Sequence, residues 1–145
     1  MANTDFLTKE EQQQIVQAIE AAELNTSGEI RVHIESNCKG DPVTRAVKVF
    51  KALKMHKTEQ RNAVLIYIAH KSHKFAIIGD SGIDEKVPDN FWDSEKELLL
   101  NYLKEGNPCE GLVTTINLAG EKLKEFFPYQ TDDINEQSNE ISFGE

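Results

Sequence analysis

The most constraining feature of the sequence is an apolar run in the middle of the chain, Asn62 to Ala69 (Asn-Ala-Val-Leu-Ile-Tyr-Ile-Ala). It is much shorter than the roughly 20 residues that a membrane-spanning helix needs. It is rich in branched residues, which favour strands, and it lacks the polar alternation of a half-exposed strand. The run therefore predicts the central strand of a sheet that is covered on both faces.

Two further strands are predicted beside this run. Glu29 to Glu35 alternates strictly between polar and apolar residues, which is typical of a strand with one buried face. After a short polar turn at His70 to His73, the segment Lys74 to Ile78 has strand character again. The central strand and this third strand should form an antiparallel hairpin.

Amphipathic helices are predicted for most of the remaining chain. A capping box at Thr8 to Glu11 opens the first helix, and Asp41 followed by proline opens the second. Two more helices are predicted from about Phe91 to Glu105 and from near Pro108 to Pro128. The second helix is expected to bury one stripe of apolar side chains, namely Val43, Ala46, Val47, Phe50 and Leu53. The order αβαββαα predicts an α/β fold in which helices cover a sheet on both faces.

Length and charge limit the organisation and the partners. The 145 residues suffice for one domain, predicted at residues 1–129, and the acidic residues 130–145 are predicted to be a disordered tail. The formal net charge of −9 disfavours nucleic acid and anionic membranes, and it suits a cationic partner such as Ca²⁺ or Mg²⁺. With neither a secretory signal pattern nor a membrane span in the sequence, a cytoplasmic location is expected.

The residues that best suggest chemistry form an acidic segment, Gly79 to Asp93, directly after the third strand. Hard cations prefer carboxylate and carbonyl oxygens, and this segment supplies both. Its spacing does not match an EF-hand, because position 12 counted from Asp80 is Phe91. The alternative is that the acids stabilise the N-terminus of the following helix. The predicted ligands of a divalent cation in this segment are Asp80, Asp84, Glu85, Asp89 and Asp93.

Three acidic residues elsewhere are weaker candidates for the same site. Glu35 and Asp41 bracket the loop after the first strand, and Glu110 lies at the start of the last helix. We predict that these side chains reach the acidic segment and add ligands to it. The alternative is helix capping for Asp41 and simple solvation for Glu35.

The central part of the chain resembles a TPM domain. The resemblance rests on Arg61 to Ala69 and on Phe75 to Pro88, which contains the most specific stretch, Gly-Asp-Ser-Gly-Ile. Thr26 to His33 is similar to the first strand of that family, and Gly106 to Leu112 resembles the loop before its last helix. Together the similar stretches fall within roughly residues 8 to 127.

This resemblance implies an αβα sandwich around a four-stranded mixed sheet. It also implies calcium binding near the acidic segment, at the matching positions Asp80, Asp84 and Glu85. A thylakoid-lumen member of the family has been assigned acid phosphatase activity, so the resemblance makes this activity an expectation to test. Many relatives carry a signal peptide and a C-terminal membrane anchor, and this sequence shows neither.

Three functions are compatible with these patterns. The first is a stand-alone domain that binds a divalent cation and acts as a metal-responsive interaction module. The second is a metal-assisted acid phosphatase, in which an ion polarises the phosphoryl oxygen and a carboxylate assists water; Lys86 is then the only local base in the acidic segment. The third is a protein–protein module whose acids only solvate the surface. The sequence identifies no catalytic residue.

Overall fold

The computed structural model describes residues 6–129 and 138–144. Its strands are β1 (Glu29–Glu35), β2 (Ala63–Ala69), β3 (Lys74–Gly79) and β4 (Ser142–Phe143). Its helices are α1 (Lys9–Glu23), α2 (Pro42–Ala52), α3 (Ser81–Asp84), α4 (Asp93–Lys104) and α5 (Pro108–Phe126), with a 3₁₀ turn at Met55–Lys57. The four strands form one mixed sheet in the order β3-β2-β1-β4, in which β1 is parallel to β2 and to β4 while β3 is antiparallel to β2.

The sheet separates two layers of helices, as the sequence predicts. Every residue of β2 is buried. Val64 and Ile66 pack into the core with α1, α4 and α5, whereas Leu65 and Tyr67 pack against the residues of α2 on the opposite face. The α/β prediction of a three-layer αβα sandwich is therefore confirmed, and so is the β2–β3 hairpin.

The stripe predicted for α2 is only partly buried. Val43 and Val47 are 46% and 40% exposed, whereas Ala46, Val49 and Phe50 are buried. These three are spaced as one narrow face of a helix. Because α2 lies over β2 and β3 near the edge of the sheet, that narrow face is all that the strands cover.

The described part of the acidic tail, residues 138–144, contains the short strand β4, whereas the sequence predicts a disordered tail. Residues 130–137 lie outside the described ranges, but β4 pairs with His33 and Ile34 of β1. Beyond β4, the Gly144 amide donates to the Ile34 carbonyl at 2.8 Å. Edge pairing of this kind uses backbone groups, so a tail with few apolar side chains can still add a strand.

Within the described parts of the chain, no helix has both the length and the apolar character to cross a membrane. The predicted cytoplasmic location stays a prediction.

Candidate functional site

The acidic segment begins with a capped turn of helix rather than with an irregular loop. Asp80 follows β3 directly, and its carboxylate accepts a hydrogen bond from the Ser81 amide at 2.7 Å at the start of α3. The sequence pattern does not predict α3, because a helix of a single turn has no apolar periodicity. The Asp80 side chain is 7% exposed, so its position at the sheet end is fixed.

The carboxylate of Asp80 is held by an arginine that precedes β2. Nε and Nη2 of Arg61 donate to the two oxygens of Asp80 at 2.7 and 2.9 Å, a bidentate pair. The Arg61 side chain is 48% exposed. The hydrogen bonds and the negative charge of Asp80 are the main causes that raise the pKa of its guanidinium. Arg61 is therefore the cation that pairs with Asp80, the most buried acid of the segment.

Close backbone packing explains the glycine that follows. The Gly82 amide donates to the carbonyl of Arg61 at 2.9 Å. A Cβ atom at position 82 would lie 2.1 Å from the carbonyl oxygen of Gln60 and 2.6 Å from that of Arg61. Only glycine lets α3 approach residues 60 and 61 this closely, and this approach places Arg61 beside Asp80.

The other predicted ligands of the acidic segment are exposed. Although Asp84 is exposed, partial removal of its carboxyl group from water raises its pKa, and the negative charges of Asp80 and Asp89 raise it further. The negative charge of Glu85 also raises the pKa of the Arg61 guanidinium. Asp93 occupies the first turn of α4, as the helix-stabilising alternative expects. Asp89 lies outside that helix, whose N-cap is Trp92.

The geometry of the segment does not amount to a finished metal site. Over residues 6–129 and 138–144, no three or more His, Cys, Asp or Glu side chains are grouped so that they could hold a metal ion. Both oxygens of Asp80 are engaged by Arg61. An ion at Asp80 would therefore have to displace the guanidinium.

Glu35 and Asp41 lie at the opposite end of the sheet from the acidic segment. The Asp80 amide bonds to the carbonyl of Ala63, the first residue of β2, whereas Glu35 pairs with Ala69, the last. At about 3.3 Å per residue, the length of β2 puts roughly 20 Å between these ends. The expectation that Glu35 and Asp41 reach the segment is wrong, because the antiparallel β3 returns the chain to the start of β2.

Glu110 is also remote from the acidic segment. It lies in the first turn of α5, next to Cys109, whose pKa is raised by burial and then by Glu11 and Glu110. Lys86 of the acidic segment instead places its amino group 4.5 Å from the ring centre of Phe127, at the other end of α5. A helix of this length extends for about 28 Å, so the prediction that Glu110 reaches the segment is wrong too.

Asp41 and Glu35 have structural partners where they lie. Asp41 caps α2, accepting from the amide and hydroxyl of Thr44 at 2.9 and 3.0 Å. Glu35 is 2% exposed and accepts from Nε and Nη2 of Arg45 at 2.8 and 2.9 Å. The hydroxyl of Tyr67 also donates to Glu35.

Glu35 is the centre of a buried polar cluster, formed by His33, Glu35, Arg45 and Tyr67. Burial alone would raise the pKa of Glu35, but the hydrogen bonds from Arg45, Tyr67 and His33 outweigh it and lower the pKa to about 2. Burial lowers the pKa of His33. Nδ1 of His33 lies 2.9 Å from the hydroxyl oxygen of Ser142, so the cluster also contacts β4.

A further acid just beyond the segment is buried and paired. Glu95 is 1% exposed, and Lys122 of α5 donates to its carboxylate at 2.8 Å. Lys122 also donates to the Phe91 carbonyl. The pair joins the start of α4 to α5, and it was missed because the two residues are distant in sequence.

Comparison with known proteins assigns the family. The TPM domain model matches residues 1–122. The chain belongs to the TPM domain family. No curated protein matches it.

Two solved structures share the TPM fold of this chain. The BA42 protein from the psychrophilic bacterium Bizionia argentinensis is 48% identical, with a TM-score of 0.90 and 96% of each chain covered. The N-terminal domain of the cg2496 protein from Corynebacterium glutamicum is 14% identical, with a TM-score of 0.63 over 96% of this chain and 80% of that one. At that identity the second likeness shows the fold alone.

Proposed function

We propose that this TPM domain binds a divalent cation, Ca²⁺ or Mg²⁺, at the acidic segment in competition with the guanidinium of Arg61, and that it works as a metal-responsive interaction module. The proposed ligands are the carboxylates of Asp80, Asp84 and Asp89, with Glu85 and backbone carbonyls nearby. Carboxylate and carbonyl oxygens are the donors that both ions prefer.

The observation that carries this proposal is the like-charge field around Asp84. Partial desolvation is the largest cause that raises the pKa of Asp84, and the charges of Asp80 and Asp89 add to it, so the segment holds negative charges that repel one another. Arg61 compensates Asp80 alone by hydrogen bonding. A divalent ion would offset more of this repulsion than one monovalent guanidinium does.

Arg61 also gives the site a means to respond to an ion. Its side chain is 48% exposed and can move into solvent when another cation takes Asp80. Its backbone has a φ of 52° and packs against Gly82. Release of the guanidinium would therefore change the surface formed by α3 and residues 60–61, where a partner could distinguish the two states.

Removal of the competing cation is expected to tighten metal binding. In the Arg61→Gln variant, we expect the affinity for Ca²⁺ to rise about three- to fivefold over wild type, because a half-exposed ion pair no longer opposes the ion. Calorimetric titration of chelator-treated protein measures this. Asp80→Asn should weaken binding at least tenfold, since it removes the central charge.

Lys86→Gln is the matched control for this comparison. It removes the one base within the acidic segment, and the amino group of Lys86 lies over the ring of Phe127 rather than on Asp80. We expect it to change the affinity by less than about twofold. Equal affinities in wild type and Arg61→Gln would refute competition at Asp80. No heat with any variant would refute the cation site and favour a protein–protein module without metal.

Acid phosphatase activity is the second candidate, and Arg61 is the observation that favours it. The sequence suggested only Lys86 as a local base, but the structure adds a half-exposed guanidinium beside Asp80. Guanidinium groups bind phosphoryl oxygens in bidentate geometry. If the candidate is right, hydrolysis of a generic phosphate ester is present in wild type and lost in both Asp80→Asn and Asp84→Asn; turnover that survives in both variants would exclude this site.

A further inference from the structure

Helix α2 and the residues on either side of it carry positive charge that the net charge of the chain conceals. Residues 39–57 contain six lysines or arginines and one acid, Asp41, whereas the whole chain has 16 lysines or arginines and 25 acids. The rest of the sequence is therefore strongly anionic. The six exposed basic residues of this surface, which we call the basic face, are Lys39, Arg45, Lys48, Lys51, Lys54 and Lys57.

Most of the charge on the basic face is not neutralised by the protein itself. Arg45 is paired with Glu35. Lys74 adds a further charge beside α2, because its amino group donates to the carbonyl oxygens of Cys38 and Gly40 at 3.1 and 2.8 Å, in the loop that leads into the helix. Among the described residues, no ion pair to a carboxylate is formed by four lysines of the face, Lys39, Lys48, Lys51 and Lys57. Such a surface attracts an anionic partner.

The basic face also exposes apolar surface. Val43 and Val47 are four residues apart, so they are neighbours on one side of α2, and they are 46% and 40% exposed. They are not the residues that hold the helix on the strands, because its buried side chains are Ala46, Val49 and Phe50. A single exposed valine is ordinary. Two adjacent valines among lysines instead match the apolar centre and polar rim of a protein interface.

We propose that the basic face binds an acidic amphipathic helix of a partner protein, whose apolar stripe covers Val43 and Val47 and whose carboxylates face Lys48 and Lys51. Charge complementarity selects an anionic partner. The valines favour a protein over nucleic acid, because a phosphate backbone has no apolar surface to cover them. The length of α2, about 16 Å, suits one partner helix. A flat anionic membrane would extend beyond the basic face and be repelled by the anionic surface around it.

A suitable probe is a synthetic peptide of about 14 residues with blocked termini, leucine at helical spacing and glutamate elsewhere. Titrated into the full chain in the presence of chelator, it should bind saturably and shift the amide resonances of residues 39–57. A scrambled peptide of the same composition lacks the apolar stripe, and a peptide with lysine in place of glutamate has the wrong charge. Both should bind at least about tenfold more weakly. Equal binding of the scrambled peptide would overturn the role of the valines, and equal binding of the lysine peptide would overturn the role of the lysines.

Charge reversal on α2 tests the site itself. Lys48→Glu should weaken binding of the acidic peptide by about fivefold, because repulsion replaces attraction at the interface. Lys48 is exposed, so the variant should fold normally. Lys96→Glu makes the same change at an exposed position of α4, which belongs to the opposite helix layer, and should alter the affinity by less than about twofold. Equal affinity in the two variants would refute the basic face as the site.

The double variant Val43→Thr/Val47→Thr removes apolar contact without changing charge or shape, and it should weaken binding of the acidic peptide about threefold or more. Full affinity in this variant would overturn the amphipathic partner in favour of a purely ionic one. Binding to phosphatidylglycerol vesicles or to duplex DNA that depends on Lys48, together with no binding of the peptide, would overturn the proposal in favour of a membrane or of nucleic acid. Self-association that Lys48→Glu abolishes would assign the face to a second copy of this chain instead.

Discussion

Gly82→Ala is expected to lower the free energy of unfolding by about 3 kcal/mol, the upper part of the usual range for overpacking. The added Cβ would lie 2.1 Å from the carbonyl oxygen of Gln60 and 2.6 Å from that of Arg61. Both obstacles are backbone atoms, which cannot rotate away as a flexible side chain does. The chain must instead separate α3 from residues 60–61, which also disturbs the bonds between Arg61 and Asp80. Urea denaturation at neutral pH measures the loss.

Gly40→Ala is the matched control. A Cβ at position 40 meets no atom within 4 Å, and Gly40 has no positive φ. We expect its effect to stay within about 0.5 kcal/mol, as for most surface substitutions. A Gly82→Ala variant as stable as Gly40→Ala would show that α3 does not pack on residues 60–61 in solution.

The second large effect is expected from Arg45→Ala, which should cost about 2 to 3 kcal/mol at neutral pH. The substitution leaves the carboxylate of Glu35, 2% exposed, without its bidentate partner. A buried charge left without its partner destabilises the fold by more than the intact pair stabilises it. Because Arg45 is half-exposed, we expect a loss of stability at the lower end of the range for buried ion pairs. The same denaturation experiment measures it.

Two further variants separate this effect from a general weakening of α2. Lys48→Ala removes an exposed base from the same helix and should change stability by less than about 0.5 kcal/mol. In the Arg45→Ala/Glu35→Gln double variant, the loss should be smaller than in Arg45→Ala alone, because no buried charge remains. A double variant that is less stable by the full sum of both single effects would contradict a coupled pair.

The pH dependence of Arg45→Ala follows from the pKa of Glu35. In wild type this pKa is lowered from 4.5 to about 2, so the stability that the ionised Glu35 contributes is present above pH 4.5 and is lost as the pH falls towards 2. Without Arg45 the pKa of Glu35 should rise, since burial then has less to oppose it. The deficit of the variant should therefore be largest above pH 4.5 and smallest near pH 2. A deficit that does not change with pH would mean that the charge of Glu35 is not its cause.

The elements that sequence patterns predicted well are those set by local rules. The apolar run of β2 required burial on both faces, and every one of its residues is buried. The Thr8 capping box and the Asp41 cap form as expected, because each depends on residues within one turn of helix. β4 was missed because its pairing with β1 uses backbone groups that no side-chain pattern reports.

The contacts of the site that the sequence does not predict depend on the register of the β2–β3 hairpin and on how the helices pack on the sheet. Arg61 meets Asp80 because the hairpin pairing of Val64 with Gly79 continues outward to residues 61 and 82. A correct register for the hairpin would have predicted this contact. The partners of Glu35, by contrast, come from α2 and β2 and depend on how these elements pack across the sheet. The separation of Glu35 and Asp41 from the acidic segment is again a matter of register, because β3 returns the chain to the start of β2 while Glu35 pairs with Ala69 at its end.

The most direct test of metal binding at Asp80 is an NMR titration of the chelator-treated domain with Ca²⁺. The proposal predicts saturable shifts at the amides of Gly79 to Asp93 and at Arg61, with no shift at residues 35–41 or at Glu110, which lie at the far ends of β2 and α5. Shifts that saturate only at residues 35–41 or at Glu110, or no shift up to millimolar Ca²⁺, would contradict a cation site at Asp80.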